Sequence, residues 1–427
     1  MKKKDSSIEI MSPAGSYEAL VAAIQAGAGS VYFGVGSMNM RARSAANFTL
    51  EDLEKIAQIC KDNDVLSYLT VNTVVYNREM EEMRVLLDAA KRCGISAIIA
   101  SDMAVMNYCK QIGLEIHIST QCNITNIEAV KFYAQFADVI VLARETELID
   151  VAQIVKHIHK EKICGPKGEL IKIEMFIHGA LCMAVSGKCY ISLDNFNFSA
   201  NRGACLQPCR RGYYVKDLDA EIELAVENQY IMSPKDLCTI GFLDKILAAG
   251  VTVLKIEGRG RSPEYVKMVT QCYHEALEAI QNKTYTKEKI ENWTVRLRSV
   301  YNRDFWDGYY LGRKTGEWTK NYGSQATRTK QYVGKVTNYF SHLQVAEILI
   351  ETQEIAVGDE IMVFGPTTGV VDLHVKEIRV DLKPVNEAAK GVYCSIPFQE
   401  LVRRNDKVYK WVAVKDFPFD NLSTQYD

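Results

Sequence analysis

From Ile8 onward the chain alternates two textures. Short runs rich in β-branched and aromatic residues, "IEIMSPA", "SVYFGV", "LSYLTVNTVV", "SAIIAS", "EIHISTQ", "DVIVLAR", "KIEMFIHGA" and "VLKIEGR", are near-continuously apolar. Between them lie stretches such as "SYEALVAAIQAGAG", "TLEDLEKIAQICKDN" and "TELIDVAQIVKHIHKE", whose apolar positions recur every three or four residues. The first texture is that of strands buried on both faces, and the second is that of helices with one apolar stripe. Eight such strands, each followed by a helical stretch, predict a TIM-like (β/α)8 barrel over residues 1–290. An open doubly wound sheet is the alternative. Its Gly-rich dinucleotide turn, G-x-G-x-x-G, does not follow the first strand.

The pattern breaks in two places. Between the seventh and eighth strands, residues of about 181–252 form a long irregular insertion. It lies at the carboxyl ends of the strands, where barrel enzymes build their sites. From Gln331 the texture becomes "QYVGKVTNYF", "HLQVAEILIE", "EIMVFGP" and "GVVDLHVKEIRV", short strands separated by turns such as "VGDEI" and "FGPTTG". Residues 331–427 are expected to form a small C-terminal all-β barrel. The bridge at 291–330 interleaves basic residues with Tyr301, Phe305, Trp306, Tyr309, Tyr310, Trp318 and Tyr322. It can serve as an RNA-facing linker, with cations for phosphates and rings for bases, or simply pack one domain on the other.

Charge narrows the picture only slightly. With 51 basic and 53 acidic residues the net charge is −2, so any surface for nucleic acid must be local. The basic start "MKKKDSSIEI" has no apolar core behind it, and no apolar run is long enough to span a membrane. A cytoplasmic location is expected, where thiols stay reduced. Of the twelve cysteines, Cys60, Cys93 and Cys109 fall on helical patterns as small hydrophobes. Five others, Cys182, Cys189, Cys205, Cys209 and Cys238, crowd into 57 residues of the insertion. Soft thiolates gathered in irregular backbone suit a metal or an iron–sulfur cluster. Their uneven spacing fits a cluster better than structural zinc, which uses tight pairs, and packing without a metal is the third option.

These residues also carry a resemblance. Glu174-x-Phe176-x-x-Gly179-Ala180-Leu181-Cys182, followed by Gly187-x-Cys189-x-Ile191-Ser192, resembles the signature of the collagenase-like peptidase family of unassigned catalytic type. "SPAGSYEALVAAIQAGAGSVYFG", "MSPKDLC" and "LKIEGRGRSPEYV" are similar to other segments of that family. The resemblance spans about residues 8–285. It implies an oxygen-sensitive 4Fe–4S cluster on four cysteines, with Cys182, Cys189, Cys205 and Cys238 matching the ligands and Cys209 a fifth candidate. It also implies hydroxylation chemistry, closest to prephenate-dependent formation of 5-hydroxyuridine at the tRNA wobble position. The implied partners are tRNA, prephenate, and a paralogous subunit or a second copy.

The family name raises proteolysis as the alternative. No G-x-S-x-G elbow and no H-E-x-x-H helix is present, and a Cys182–His178 dyad is the one nucleophile–base pair on offer. Polar residues end several predicted strands: Asn72, Ser101, Gln121, Arg144, His178, Glu257 and Arg259. Arg144, Arg259 and Arg41 are expected to bind the two carboxylates of prephenate, since guanidinium forks match carboxylates. Structural ion pairs to Glu145 or Glu257 are the alternative for these arginines. Glu257 is a candidate general base, or a partner of Lys255 or Arg259. His178 is a candidate catalytic residue, or a satisfied barrel histidine.

Overall fold

The computed structural model describes residues 8–43, 45–213, 232–312, 316–321 and 323–414. Part of the insertion, Tyr322 and the last residues of the C-terminal region therefore lie outside the described residues. The chain divides into two compact units.

The first unit is the barrel. Seven strands come in order: β1 (Glu9–Pro13), β2 (Ser30–Gly34), β3 (Leu66–Val71), β4 (Ala97–Ala100), β5 (Ile116–Ile118), β6 (Val139–Val141) and β7 (Lys172–Gly179). A short strand β8 (Asp236–Cys238) intervenes before the eighth barrel strand, β9 (Val253–Ile256). Each of β1–β6 pairs in parallel with the next, and β9 pairs in parallel with both β1 and β7, which closes the ring. Strands covered by helices outside and by packed side chains inside are buried on both faces, which is why they read as apolar runs. Met11, Tyr32, Tyr68, Ala97, Ile99, Val139 and Val253 form one cluster inside the ring.

The helices follow the predicted alternation: α1 (Tyr17–Gln25), α2 (Asp52–Asp62), α3 (Met80–Cys93), α4 (Met103–Ile112), α5 (Ile127–Ala134) and α6 (Leu148–Glu161). Local chemistry sets their ends. Ser16 and Asp102 accept backbone N–H bonds as N-caps of α1 and α4, while Gly94 and Gly113 end α3 and α4 in the left-handed conformation. The insertion contributes the one-and-a-half-turn α7 (Ile191–Phe196), and α8 (Leu243–Ala248) returns the chain to β9. α9 (Pro263–Gln281) and α10 (Lys287–Arg298) complete the outer layer. Among the described residues no helix is long and apolar enough to cross a membrane.

The bridge does not behave as a connecting stretch. Residues 302–324 belong to the barrel unit, and β10 (Phe305–Trp306) pairs in parallel with β8. Trp306 and Tyr310 are buried, with Tyr310 donating to the Phe176 carbonyl at 2.8 Å and Trp306 Nε1 to that of Lys235 at 3.1 Å. Those two rings are packing, not a stacking surface for bases.

The second unit is antiparallel and all-β, as its turn-rich texture predicts. It comprises β11 (Arg328–Phe340), β12 (Val345–Ile350), β13 (Ile355–Ala356), β14 (Glu360–Gly365), β15 (Gly369–His374), β16 (Ile378–Val380), β17 (Lys383–Val385), β18 (Glu387–Ala388), β19 (Tyr393–Pro397) and β20 (Lys407–Ala413). Eight strands form one sheet in the order β15-β14-β20-β11-β12-β19-β16-β17, and β13 pairs with β18. Their inward residues, among them Val333, Ile348, Ile361, Ile396 and Val408, make a core of their own.

Candidate functional site

A cavity of about 220 Å³ opens at the carboxyl ends of the barrel strands. Seven of its lining residues are cationic: Arg41, Arg144, Arg210, Lys255, Arg259, Arg261 and Arg303. Glu257 is the one carboxylate that lines it among the described residues. Cys182, Cys189, Cys205 and Cys209 line the same space.

The strand-end arginines are held in different ways. Arg41 pairs with Glu257, so the carboxylate's partner is this arginine from the β2 loop. Burial pushes the Glu257 carboxyl up, but the fields of Arg41, Arg144 and Arg259 outweigh it and hold the group at about 2. It is ionised at neutral pH and poorly suited to accept a proton. Arg259 donates to Asn39 Oδ1 at 2.9 Å and Thr70 Oγ1 at 2.8 Å, with no carboxylate among those partners. Burial lowers its guanidinium to about 10. Arg144 lies 3.8 Å over the Phe176 ring, donates to the Ala180 carbonyl at 2.7 Å, and leaves its buried Nε without a partner. The alternative of an ion pair to Glu145 is not what holds it. Arg303 and Arg261 stand 3.6 and 4.0 Å from the buried carboxylate of Asp236.

The insertion is tied over the barrel mouth at several points. Arg202 grips Glu79 with both guanidinium nitrogens, donates to the Val74 carbonyl at 3.0 Å, and stacks 4.2 Å over Tyr76. Arg210 joins both ends of the insertion, donating to Ser233 Oγ at 3.0 Å, Pro234 O at 2.8 Å and Leu181 O at 2.6 Å. Gly179, at φ +106°, lets β7 pass close to β9: a Cβ there would lie 2.5 Å from the Glu257 carbonyl oxygen.

The cysteines separate into two groups. Burial raises the Cys182 thiol, and it raises Cys209 to about 11, with the neighbouring cysteines adding to both. Cys182, Cys189, Cys205 and Cys209 thus share one field as well as one cavity. Cys238 sits on β8 opposite His178, its Sγ 4.0 Å from the Tyr273 hydroxyl, and is not among the cavity-lining residues. Four thiols in one irregular, cation-rich pocket are the donor set a cluster needs. Among the described residues, however, no three His, Cys, Asp or Glu side chains already converge tightly enough to hold a metal ion. Seating a cluster therefore requires the insertion loops to draw their thiols together.

His178 is not at the cavity. Strand alternation from Glu174 and Phe176 points it inward, but the β7–β9 register shifts between Phe176 and His178. A shift of that kind re-aims a side chain. The ring instead packs among Tyr265, Tyr273 and Phe305, with Nδ1 3.4 Å from the Tyr273 hydroxyl. Burial, with Arg261 adding to it, depresses the imidazole to about 3. It is the satisfied barrel histidine, and unlike Cys182 it does not line the cavity. Asn72 and Gln121 line the cavity, whereas Ser101 donates to the Asn72 carbonyl at 2.8 Å and supports it. Arg43 stacks 4.1 Å over Phe198 and is not a lining residue.

Sequence reasoning passed over Arg210, Arg261 and Arg303, which come from loops without strand-end positions. It named Glu174 only as part of a signature and passed over His117, both of which lie inside the ring. Their signal was present: charged or polar residues in the middle of apolar strands ("KIEMF", "EIHIS") are costly unless partnered.

Comparison with known proteins gives a consistent set of likenesses. The model of peptidase family U32 matches residues 15–320. A Porphyromonas gingivalis protein named "Collagenase" is 60% identical over 403 residues, covering 94% of this chain and 97% of that protein. Bacillus subtilis "tRNA hydroxylation protein P1" is 32% identical, covering 84% of this chain and 83% of that protein. Escherichia coli "23S rRNA 5-hydroxycytidine C2501 synthase" is 34% identical over 64% of this chain and 40% of its own length.

Proposed function

The chain belongs to peptidase family U32, and from that premise we propose that it is an enzyme of RNA hydroxylation, acting on tRNA wobble uridine with prephenate as co-substrate. The observation that carries this reading is the cavity: seven cationic side chains, one carboxylate and four thiols at the catalytic end of a barrel. An anionic small molecule is the ligand such a lining selects, and two relatives bear names of RNA hydroxylation.

The residues take roles from their contacts. Arg144 lines the cavity and has a buried Nε without a hydrogen-bond partner, and Arg259 carries its charge without a carboxylate partner among its hydrogen bonds. These two bind the carboxylates of the co-substrate. Arg41 is already committed to Glu257, and the pair forms a wall of the site. Cys182, Cys189 and Cys205 hold a 4Fe–4S cluster. The fourth thiolate is Cys238 by family resemblance and Cys209 by its place in the cavity. Such a cluster, when bound, supplies one-electron redox chemistry. The basic lining and the insertion exclude water once RNA covers the mouth.

Three measurements test the proposal. Protein purified without oxygen should be brown, with about four irons per chain as a 4Fe–4S cluster demands; colourless, zinc-bound or metal-free protein refutes the cluster. Cys209→Ser and Cys238→Ser, made separately, identify the fourth ligand by which one bleaches. Nucleosides of tRNA from a deletion strain should lack 5-hydroxyuridine derivatives, and an unchanged profile sinks the tRNA assignment. A second reading, proteolysis, rests on the name of the Porphyromonas relative. It predicts gelatin cleavage by the pure protein that Cys182→Ser abolishes. Against it stand the raised Cys182 thiol and a cavity lining that holds no histidine among the described residues.

A further inference from the structure

A line of ionisable groups runs through the interior of the barrel, below the cavity. At the cavity floor, the Lys255 ammonium lies between the faces of Tyr32 and Phe176, 4.8 and 5.4 Å from their centres. It donates to Glu174 Oε1 at 2.7 Å. The other oxygen, Glu174 Oε2, is 3.5 Å from His117 Nδ1, an ion-pair distance outside hydrogen-bond geometry, and neither atom has another hydrogen-bond partner. On its far side His117 Nε2 stands 3.8 Å from Glu115 Oε1. Glu115 is partly exposed at the opposite end of the barrel and pairs with the exposed Lys167.

The rest of the ring's interior is accounted for. β1 presents Glu9, which accepts from Ser30 at 2.5 Å and from Tyr68 of β3 at 3.0 Å. The Tyr68 ring lies 4.5 Å from His117. β2 presents Tyr32, whose hydroxyl donates to the Ile256 carbonyl at 2.8 Å and approaches Glu257 at 3.2 Å. β4 and β6 present the apolar Ala97, Ile99 and Val139. Glu174 is fully buried, His117 is 1% exposed and Lys255 is 5% exposed.

Burying three ionisable groups in file is expensive, and stability alone gives no reason for it, because a matched apolar core is often as stable as a buried ion pair. The geometry of His117 supplies a reason. Its ring stands between two carboxylates and is fully bonded to neither. The gaps are too short to seat a bridging water, so a small tilt of the ring closes one bond and opens the other. Imidazole takes a proton on one nitrogen and releases one from the other. We infer that Glu115, His117 and Glu174 form a proton relay linking solvent at the barrel floor to Lys255 at the cavity.

The relay answers a problem of access. A polymer laid across the mouth, together with the insertion, closes the cavity to bulk water on that side. A proton leaving the substrate can then pass to the Lys255 amine only if Lys255 has already given its own proton to Glu174. That proton goes on through His117 to Glu115 and solvent. Only protons move, so no oxidant enters this step. The inference rests on the cavity being the reaction site proposed above.

Two variants test it in the full-length chain: Glu115→Gln, remote from the cavity and partly exposed, and His117→Gln. Either should lower kcat by about tenfold or more, the lower end of what positioned proton transfer contributes. KM for RNA should stay within twofold, and the pH profile of kcat should shift. Independently of turnover, nitrogen NMR of labelled lysine should show the Lys255 titration midpoint moving by about half a pH unit or more in each variant, as coupled sites require. Variants that melt like wild type but leave kcat, pH profile and Lys255 midpoint unchanged overturn the relay. If the wild type hydroxylates no RNA, the functional proposal fails, and the NMR midpoint alone still decides the relay.

Discussion

The attachment of the cysteine-bearing insertion to the barrel can be tested at one side chain. Arg202 makes a two-pronged bond to Glu79, and the segment beside it is stitched by Val74 N–H to the Asn201 carbonyl (3.1 Å) and Arg43 N–H to the Gly203 carbonyl (3.3 Å). Hydrogen bonds to charged groups contribute roughly 1.5–3 kcal/mol each when shielded. The Arg202 and Glu79 side chains keep 24% and 20% of their exposure, so solvent screens the pair and a total of about 2 kcal/mol is reasonable. Arg202→Ala should therefore raise the open population of this segment about 30-fold, at about 1.4 kcal/mol per tenfold. Amide hydrogen exchange reads that population directly when reclosing is fast. Exchange at Val74, Arg43 and Gly203 should accelerate about 30-fold, a factor set by the same free energy. Amides in β11 and β12 of the second unit should be unaffected. Acceleration below about threefold at the three amides corresponds to well under 1 kcal/mol, and would refute the idea that this pair fastens the insertion.

The same staple has a pH signature. Arg202 holds the Glu79 carboxyl at about 2, below its ordinary value of 4.5, so its contribution is complete above about pH 4.5 and fades as pH falls toward 2; exchange corrected for intrinsic rate should show this at Val74, and a flat profile contradicts it. Lys255→Met leaves the buried Glu174 carboxylate uncompensated and should cost about 3–5 kcal/mol. Thermal melting should show most of that loss recovered in Lys255→Met/Glu174→Gln, and a single variant within about 1 kcal/mol of wild type is inconsistent with a charged pair. Gly203 sits at φ +73° with its missing Cβ well inside contact of the Asn39 carbonyl oxygen. Gly203→Ala should cost at least about 1–3 kcal/mol of local stability, and unaltered exchange at Arg43 would show that the backbone there yields freely.

Much of this protein was legible in one dimension. The eight strands, the intervening helices and the turn-rich second unit follow from periodicity and cap residues, because burial on one or both faces is a local constraint with a local pattern. The crowding of five cysteines and the placing of Arg144, Arg259 and Asn72 at strand ends located the mouth of the barrel in advance. Pairing was not legible. Arg41 and Glu257 are 216 residues apart, and Glu174 and Lys255 are 81 apart; only closure of the ring through β9 brings each pair together. His178 followed the alternation of its strand until a single register shift turned it into the helix layer, a change no side-chain pattern announces. For Trp306 and Tyr310 the sequence left an RNA-facing surface and packing equally open, and the fold packs both rings in the barrel unit. The sequence by itself determined which groups are present and which segments bury them. Tertiary structure alone decided which charges neutralise one another and which are left facing the cavity, because electrostatic pairing depends on distance in space, and the chain order carries no record of it.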